Sequence, residues 1–405
     1  MRVYLVGGAV RDRLLGIEAV DRDYVVVGAT PEEMVALGFR PVGADFPVFL
    51  HPDTHEQYAL ARTERKTGTG YRGFTVYAAP DVTLEDDLRR RDLTINAMAQ
   101  AEDGSLIDPF SGAEDLRNGV LRHVSPAFSE DPVRILRVAR FAARYAKWGF
   151  RVSHSTNALM RHMVENGEAD ALVAERVWME MERALAESQP AVFFEVLRGC
   201  GALDRLFPEL AALFGVPQPE RQHPEVDAGV HALKVLEEAA RLTEDTRVRF
   251  AALMHDVGKA QTPRPHWPDH AGHEEAGVKV IRGFCARLRV PNDYRDLAIV
   301  VARGHGRCHH AAELPAAAML DMLEAIDAFR RPERLDQFLF ACEADSRGRA
   351  GFEDSAYPQA IIVRQAFEAA RTIGGSSAIH AGMSGPDAGK WIREQRLAAI
   401  DRVRR

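Results

Sequence analysis

The sequence predicts an α+β protein: a small N-terminal unit built on a mixed or antiparallel sheet, followed by an all-helical remainder. Two observations predict this. Short apolar runs at residues 3–6, 24–27, 48–50 and 58–61 gather near the start of the chain, with the length and β-branched content of strands. From Ser125 onward, apolar residues instead recur three and four apart, the spacing that fills one face of a helix.

The first strand ends at Gly7-Gly8, and residues 9–15 read as a helix stopping at Gly16. Glycine at such a turn lets the backbone approach a ligand, with the free N–H groups of the first helical turn pointing at it. Asp21 and Asp23 follow, leading into Tyr24-Val25-Val26-Val27. On a strand, residues two apart face the same way, so both carboxylates can hold the same divalent ions. Mg²⁺ suits a few carboxylates combined with substrate phosphates. The spacing is not GxGxxG, and no GKS or GKT of a Walker A loop follows. The combination resembles the GG…DxD signature of nucleotidyltransferases of the polymerase β superfamily.

Whole-chain properties set bounds. A chain of 405 residues has room for several domains. No stretch approaches a transmembrane span, and Met1-Arg2 leads straight into the first strand, which leaves no room for a signal peptide. Cys200, Cys285, Cys308 and Cys342 form no CxxC, which points to a reducing cytoplasm without disulfides or a zinc knuckle. Net charge is −7, yet arginines cluster at Arg62-Arg65-Lys66, Arg89-Arg90-Arg91 and Arg134-Arg137-Arg140-Arg144. Nucleic-acid binding needs a basic face, not a basic average.

Taken in order, residues 31–37 read as a helix with Thr30 as cap and Pro31 at its first position. Residues 67–73 are a polar, glycine-rich loop, either plain surface or a cover for substrate. A helix begins near Thr83 and carries Arg89-Arg90-Arg91-Asp92 and Asn96. These arginines are either a solvated face or groups that grip phosphate and ribose. A further helix covers 130–141, with Pro132 in its first turn. Asp131, Arg134, Arg137 and Arg140, three apart, share one face. An Asp beside an Arg offers the acceptor and donors that a planar base edge can satisfy. The helix 175–182 and the segments after it carry no obvious chemistry.

Asp21 and Asp23, Arg90-Arg91-Asp92 with Asn96, and the Glu130-Asp131…Arg134…Arg137…Arg140 row follow the motif order of second-class bacterial tRNA nucleotidyltransferases, the CCA-adding enzymes. The resemblance covers roughly residues 1–145 and implies a polymerase β-like head with a helical neck and body. It implies that Asp21 and Asp23 are catalytic and bind magnesium, and that Gly8, Arg11, Arg91, Arg137 and Arg140 contact the nucleotide. It also implies that Asp131 and Arg134 template the incoming C or A. The expected partners are tRNA, CTP and ATP, with no membrane, for a cytoplasmic monomer or homo-oligomer. A third carboxylate is common in such palms, but the strand position that would supply it is Gln57. Adjacent Glu56 faces away unless a bulge turns it inward.

A second constellation starts after Pro224. His231 lies in a helix, His255-Asp256 precedes Val257-Gly258-Lys259, His305, His309 and His310 follow an apolar helix ending at Ala302, and Asp345 closes the set. Imidazoles and carboxylates from several helices suit a transition metal, and a bound ion can activate water against a phosphoester. The pattern looks like the HD superfamily of metal-dependent phosphohydrolases. That resemblance implies ligands at His231, His255, Asp256 and Asp345, with His305 as a further ligand or phosphate contact, and nickel or another transition metal. His266, His270 and His273 read as loop histidines, and residues 352–405 as a helical tail without a reactive cluster. The resulting division is a head at 1–124, a neck and body at 125–224, an HD domain at 225–350 and a tail at 351–405. The rival readings are a poly(A) polymerase or an enzyme adding only C or only A, and a non-catalytic RNA-binding protein.

Overall fold

The structure is a computed structural model and describes residues 1–18, 21–42, 48–66, 74–221 and 223–404. The loop 67–73 therefore lies outside the described residues. Two compact units emerge: Met1–Glu180 with Val192–Leu206, and Met181–Ala191 with Phe207–Arg405.

The first unit is organised on a mixed sheet. Strands β1 (Arg2–Val6) and β2 (Asp23–Val27) pair antiparallel around helix α1 (Gly8–Leu14), with Val6 opposite Asp23. After α2 (Pro31–Ala36) come β3 (Arg40–Val42), β4 (Val48–Leu50) and β5 (Gln57–Leu60), and β5 runs parallel to β2 with Gln57 opposite Asp23. A hairpin of β6 (Thr63–Lys66) and β7 (Phe74–Tyr77) and helix α3 (Leu84–Arg89) follow. Strands β8 (Ala99–Gln100) and β9 (Leu106–Ile107) then complete the order β3-β4-β5-β2-β1-β8-β9. The sheet is buried on both faces. Val25 and Val27 pack with Tyr4, Val6 and Leu88, while Val26 packs with Met34, Phe49 and Leu60. Thr30 caps α2 through a reciprocal pair with Glu33, as its sequence position predicts.

In the first unit, two of the expected helices have different boundaries. Helix α3 stops at Arg89, so Arg91 and Asp92 lie beyond it and Asn96 sits in a separate 3₁₀ turn, Thr94–Asn96. The chain is pulled out of the helix at Leu93, which is extended and fully buried, and the Thr94 N–H then bonds Arg122 O. After α4 (Gly112–Arg117) and β10 (Val120–Leu121), helix α5 (Val133–Tyr145) starts three residues later than expected. Pro132 is its cap, and Asp131 is extended just before it. Strand β11 (Arg151–Val152) pairs with β10, and α6 (His154–Glu165), α7 (Ala174–Leu185), α8 (Ala191–Gly199), α9 (Ala202–Leu206) and α10 (Pro208–Ala211) follow.

The rest is helical: α11 (Ala228–Leu242), α12 (Thr246–Met254), α13 (His273–Leu288), α14 (Asn292–His309), α15 (Ala316–Ala325), α16 (Pro332–Arg347), α17 (Pro358–Ala370), α18 (Gly375–His380) and α19 (Gly385–Arg404). Helix α14 does not end at Ala302. It continues because Val301, Ala302, His305 and Cys308, spaced at helical intervals, are all buried on one face. Among the described residues, no helix is long and apolar enough to cross a membrane.

Candidate functional site

Asp21 precedes β2 and Asp23 opens it, both exposed. Among the described residues neither carboxylate has a hydrogen-bond or ion-pair partner. Partial burial at the sheet raises the Asp23 carboxyl above its ordinary range; nearby Arg91 opposes this and Asp21 adds to it. A pair of carboxylates that gains from added positive charge has the donor chemistry of a hard cation. Among the described residues, no third carboxylate joins them. Gln57 is the residue beside Asp23, while Glu56 accepts from Thr54 Oγ1 and lies 3.9 Å from Arg22, whose side chain alternates with those of Asp21 and Asp23.

The arginines gather above this edge. Gly7 has a positive φ of 69°, which side chains rarely adopt, and a Cβ there would sit 2.7 Å from Arg91 Nη1 and displace the guanidinium. Arg91 donates to Asn96 O and to Asp87, a fully buried carboxylate that also holds Arg90. Arg91 Nε is buried without a hydrogen bond. Arg11 donates to Asn96 Oδ1, Asn96 Nδ2 donates to Asp92, and Asp92 accepts from Arg137 Nε at 2.7 Å. Burial opposes the charge on Asp92, but Arg137 and Asn96 outweigh it and hold its carboxyl at about 2. The guanidiniums of Arg11, Arg137 and Arg140 all lie within 5.7 Å of the Phe141 ring centroid. The fold thus brings Gly8, Arg11, Arg91, Arg137 and Arg140 into one neighbourhood.

The face of α5 that carries these arginines is not uniformly exposed. Arg140 is buried and donates to Glu180 at 2.7 Å. Asp131 receives both terminal nitrogens of Arg176, at 3.1 and 2.8 Å, and the Val133 N–H as well. Arg134 donates to the carbonyls of Ala127 and Arg90. Sequence reading missed Arg176 and Glu180. Their spacing of four puts both on one face of α7, where they complement Asp131 and Arg140.

In the second unit, five segments deliver one cluster. Helix α11 supplies His231, the end of α12 supplies His255 and Asp256, α13 begins with His273, α14 supplies His305 and α16 supplies Asp345. Asp345 Oδ1 lies 3.1 Å from His231 Nε2 and 3.5 Å from His255 Nε2, and Asp256 Oδ2 lies 3.1 Å from His255 Nε2. Asp256 Oδ1 lies 3.2 Å from His273 and 3.5 Å from His305. Yet His255 Nε2 and Asp256 Oδ1 are buried without a well-formed hydrogen bond. Donor atoms this close that do not bond one another fit ligands converging on a cation. Within His231–His255–Asp256, within His255–His305–Asp345 and within Asp256–His273–His305, the ligand atoms all lie within 4.8 Å of one another.

His273 is a correction: the sequence places it in a loop, whereas it joins the site. Gly258, next to the His-Asp pair, explains its position, since a Cβ there would meet His273 O at 2.0 Å. His270 instead lies buried against Thr262 and Pro217 O, and Glu343 pairs with Arg347. Electrostatics follow the packing. Burial works against charge on His255, but Asp256 and Asp345 push it up to about 10. Burial pushes His305 down to about 3. Asp256 and Asp345 stay well below the usual carboxylate range, as His255 and its neighbours overcome their desolvation. Behind the cluster, Glu225 Oε1 sits 2.8 Å from His231 Nδ1.

Comparison with known proteins gives three family matches along the chain: the Poly A polymerase head domain at residues 3–122, the "Probable RNA and SrmB- binding site of polymerase A" at 149–214, and the HD domain at 229–337. The multifunctional CCA protein of Nitrosococcus oceani is 62% identical over 400 residues, covering 99% of this chain and 98% of the relative. That of Thioalkalivibrio sulfidiphilus is 61% identical, covering 100% and 99%. Among solved structures, an apo CCA-adding enzyme matches 99% of this chain and 88% of its own, at TM-score 0.68 and 22% identity. A CCA-adding enzyme complexed with CTP covers 99% and 87%, at 0.65 and 24%, and the Thermotoga maritima enzyme complexed with tRNA covers 99% and 87%, at 0.64 and 21%. The chain belongs to the family of multifunctional CCA proteins, tRNA nucleotidyltransferases that carry an HD domain.

Proposed function

We propose that the first unit builds or repairs the 3′-terminal CCA of tRNA from CTP and ATP, and that the second hydrolyses phosphoesters. The observation that carries the first half is the convergence of two unpartnered carboxylates, Asp21 and Asp23, with Arg91 beside the Gly7 turn. Gly8, Arg11, Arg91, Arg137 and Arg140 hold the nucleotide, with its α-phosphate toward the two aspartates. The tRNA 3′-hydroxyl attacks that phosphorus, the bond to the bridging oxygen breaks, and pyrophosphate leaves. Magnesium bound by Asp21 and Asp23 supplies charge that activates the hydroxyl and offsets the phosphates. Asp131 and Arg134 read the base edge. With Arg176 and the Val133 N–H seated, Asp131 keeps an accepting position on Oδ2. CTP, ATP and tRNA appear as ligands of structurally similar CCA-adding enzymes, which supports the same partners here.

In the second unit, His231, His255, Asp256 and Asp345 would hold a transition metal, nickel being one of those that imidazole donors suit, and His273 and His305 lie on the other side of Asp256. The bound metal supplies a water activated at neutral pH. The substrates are 2′,3′-cyclic phosphodiesters, 2′-nucleotides and other phosphomonoesters. We read the chain as head 1–124, neck and body 125–224, HD domain 225–350 and tail 351–405, in a cytoplasmic monomer or homo-oligomer. The test is to incubate tRNA lacking CCA with CTP alone, ATP alone and both, and to sequence the product ends. Full CCA only with both nucleotides supports the reading. A run of A from ATP alone would make the chain a poly(A) polymerase.

A further inference from the structure

The family match for the HD domain ends at residue 337, and the tail offers no reactive cluster in sequence. The structure nevertheless runs a hydrogen-bonded line from the tail to Asp345. His309 Nε2 lies 2.7 Å from Asp345 Oδ2, the carboxylate oxygen opposite the one that faces His231 and His255. The Tyr357 hydroxyl, at the cap of α17, lies 3.0 Å from His309 Nδ1 and 3.4 Å from Cys308 Sγ. Tyr357 is 7% exposed, and Gln359 Nε2, two residues on, donates to His309 O. His309 belongs to none of the groups whose ligand atoms cluster tightly enough to hold an ion. Its place is behind Asp345.

The proton arrangement follows from chemistry. Ionised Asp345 has no proton to give, so His309 Nε2–H is the donor. On its other side the ring meets the Tyr357 hydroxyl through Nδ1, and that hydroxyl also reaches Cys308 Sγ as a donor. Oδ2 is thereby occupied and the carboxylate cannot rotate, which leaves Oδ1 aimed between His231 and His255. A second group that fixes the orientation of a ligand carboxylate commonly changes metal affinity by about 10- to 100-fold when removed.

We propose that His309 and Tyr357 are positioning residues of the hydrolytic site, so that the C-terminal tail sets how Asp345 is presented to the metal. This rests on the reading of the cluster as a metal site. The experiment is a Ni²⁺ titration, by competition with a chromophoric chelator, of full-length wild type, Asp345→Ala, His309→Ala, His309→Gln and Tyr357→Phe after metal stripping. Melting of the stripped proteins and CCA addition serve as controls for folding. The expected result is a Kd weakened by about 10- to 100-fold in His309→Ala and by a smaller factor in Tyr357→Phe. His309→Gln, whose amide N–H₂ replaces Nε2–H, should recover most of the affinity. Wild-type affinity in both His309→Ala and Tyr357→Phe, with Asp345→Ala defective, overturns the positioning role alone. Equal loss in His309→Gln and His309→Ala also overturns it, because His309 is then itself a ligand. Wild type that takes up no Ni²⁺ overturns both the metal reading and this one. Should His309→Ala melt early, Tyr357→Phe, which lacks a single oxygen, decides the matter.

Discussion

Asp23 in the first unit and Asp256 in the second both stand at an end of a regular element, one opening a strand and the other following a helix. Their surroundings are opposite. Asp23 is exposed, shares its edge with Asp21, and has its carboxyl raised by partial burial. Asp256 is 2% exposed, is ringed by His255, His273, His305 and Lys259, and stays well below the ordinary range. The first arrangement has only nearby Arg91 to offset its two carboxylates, which on the proposed reading suits an ion that arrives with the nucleotide. The second is a cage of imidazoles and carboxylates that suits a resident metal. On the proposed reading, one chain keeps two metal chemistries distinct by ligand type and burial.

The largest effect tests the exposed pair. Asp23→Asn should lower nucleotide addition by on the order of 10³ while tRNA affinity in a filter-binding assay stays near wild type. Addition at the wild-type rate would remove Asp23 from catalysis and with it the contrast drawn here. For the cage, His255→Ala should abolish hydrolysis of a 2′,3′-cyclic nucleotide and sharply reduce Ni²⁺ retained through gel filtration, measured by mass spectrometry. Undiminished hydrolysis by that variant would place the activity elsewhere.

A smaller effect concerns selection rather than catalysis. Asp131→Ala should raise misincorporation of UTP and GTP by roughly 5- to 150-fold, as loss of a matched bond worth about 1–3 kcal/mol implies. Arg176→Ala frees the same carboxylate without deleting it and should produce a lesser rise. Selectivity unchanged in both would end the templating role. The smallest is thermodynamic. Because Asp92 is held at about 2 against a usual value of 3.8, its folded charge contributes about 2 kcal/mol at neutral pH. That contribution is complete above the unfolded value and fades as pH falls through 2. Asp92→Asn should therefore melt below wild type at pH 7, and the gap should narrow between pH 4 and pH 2. A gap independent of pH would mean that the cost is packing, not charge.

The parts legible in sequence are those whose chemistry is local. The Gly7-Gly8 turn, Asp21-Arg22-Asp23 and His255-Asp256 each declare themselves within a few residues, and strand runs such as residues 24–27 come within a residue of their observed ends. What was not legible depends on partners distant in sequence. Arg176 and Glu180 look like the polar side of an amphipathic helix until α5 lies against them, and Asp87 looks like one acid among three. His273 reads as a loop histidine because what seats it is a close approach of the Gly258 backbone. Tyr357 has no sequence signal at all. Arg140 lies in a polar row that periodicity locates, but periodicity does not say that Glu180 will cover it.

On the proposed reading, two independent metal chemistries share this chain. The most direct test is a crossed assay: Asp23→Asn and His255→Ala, each confirmed folded by circular dichroism, are both assayed for CCA addition and for cyclic-phosphodiester hydrolysis in the same preparation. A clean crossing is expected, with Asp23→Asn losing addition and keeping hydrolysis, and His255→Ala the reverse. Loss of both activities in either natively folded variant would contradict it.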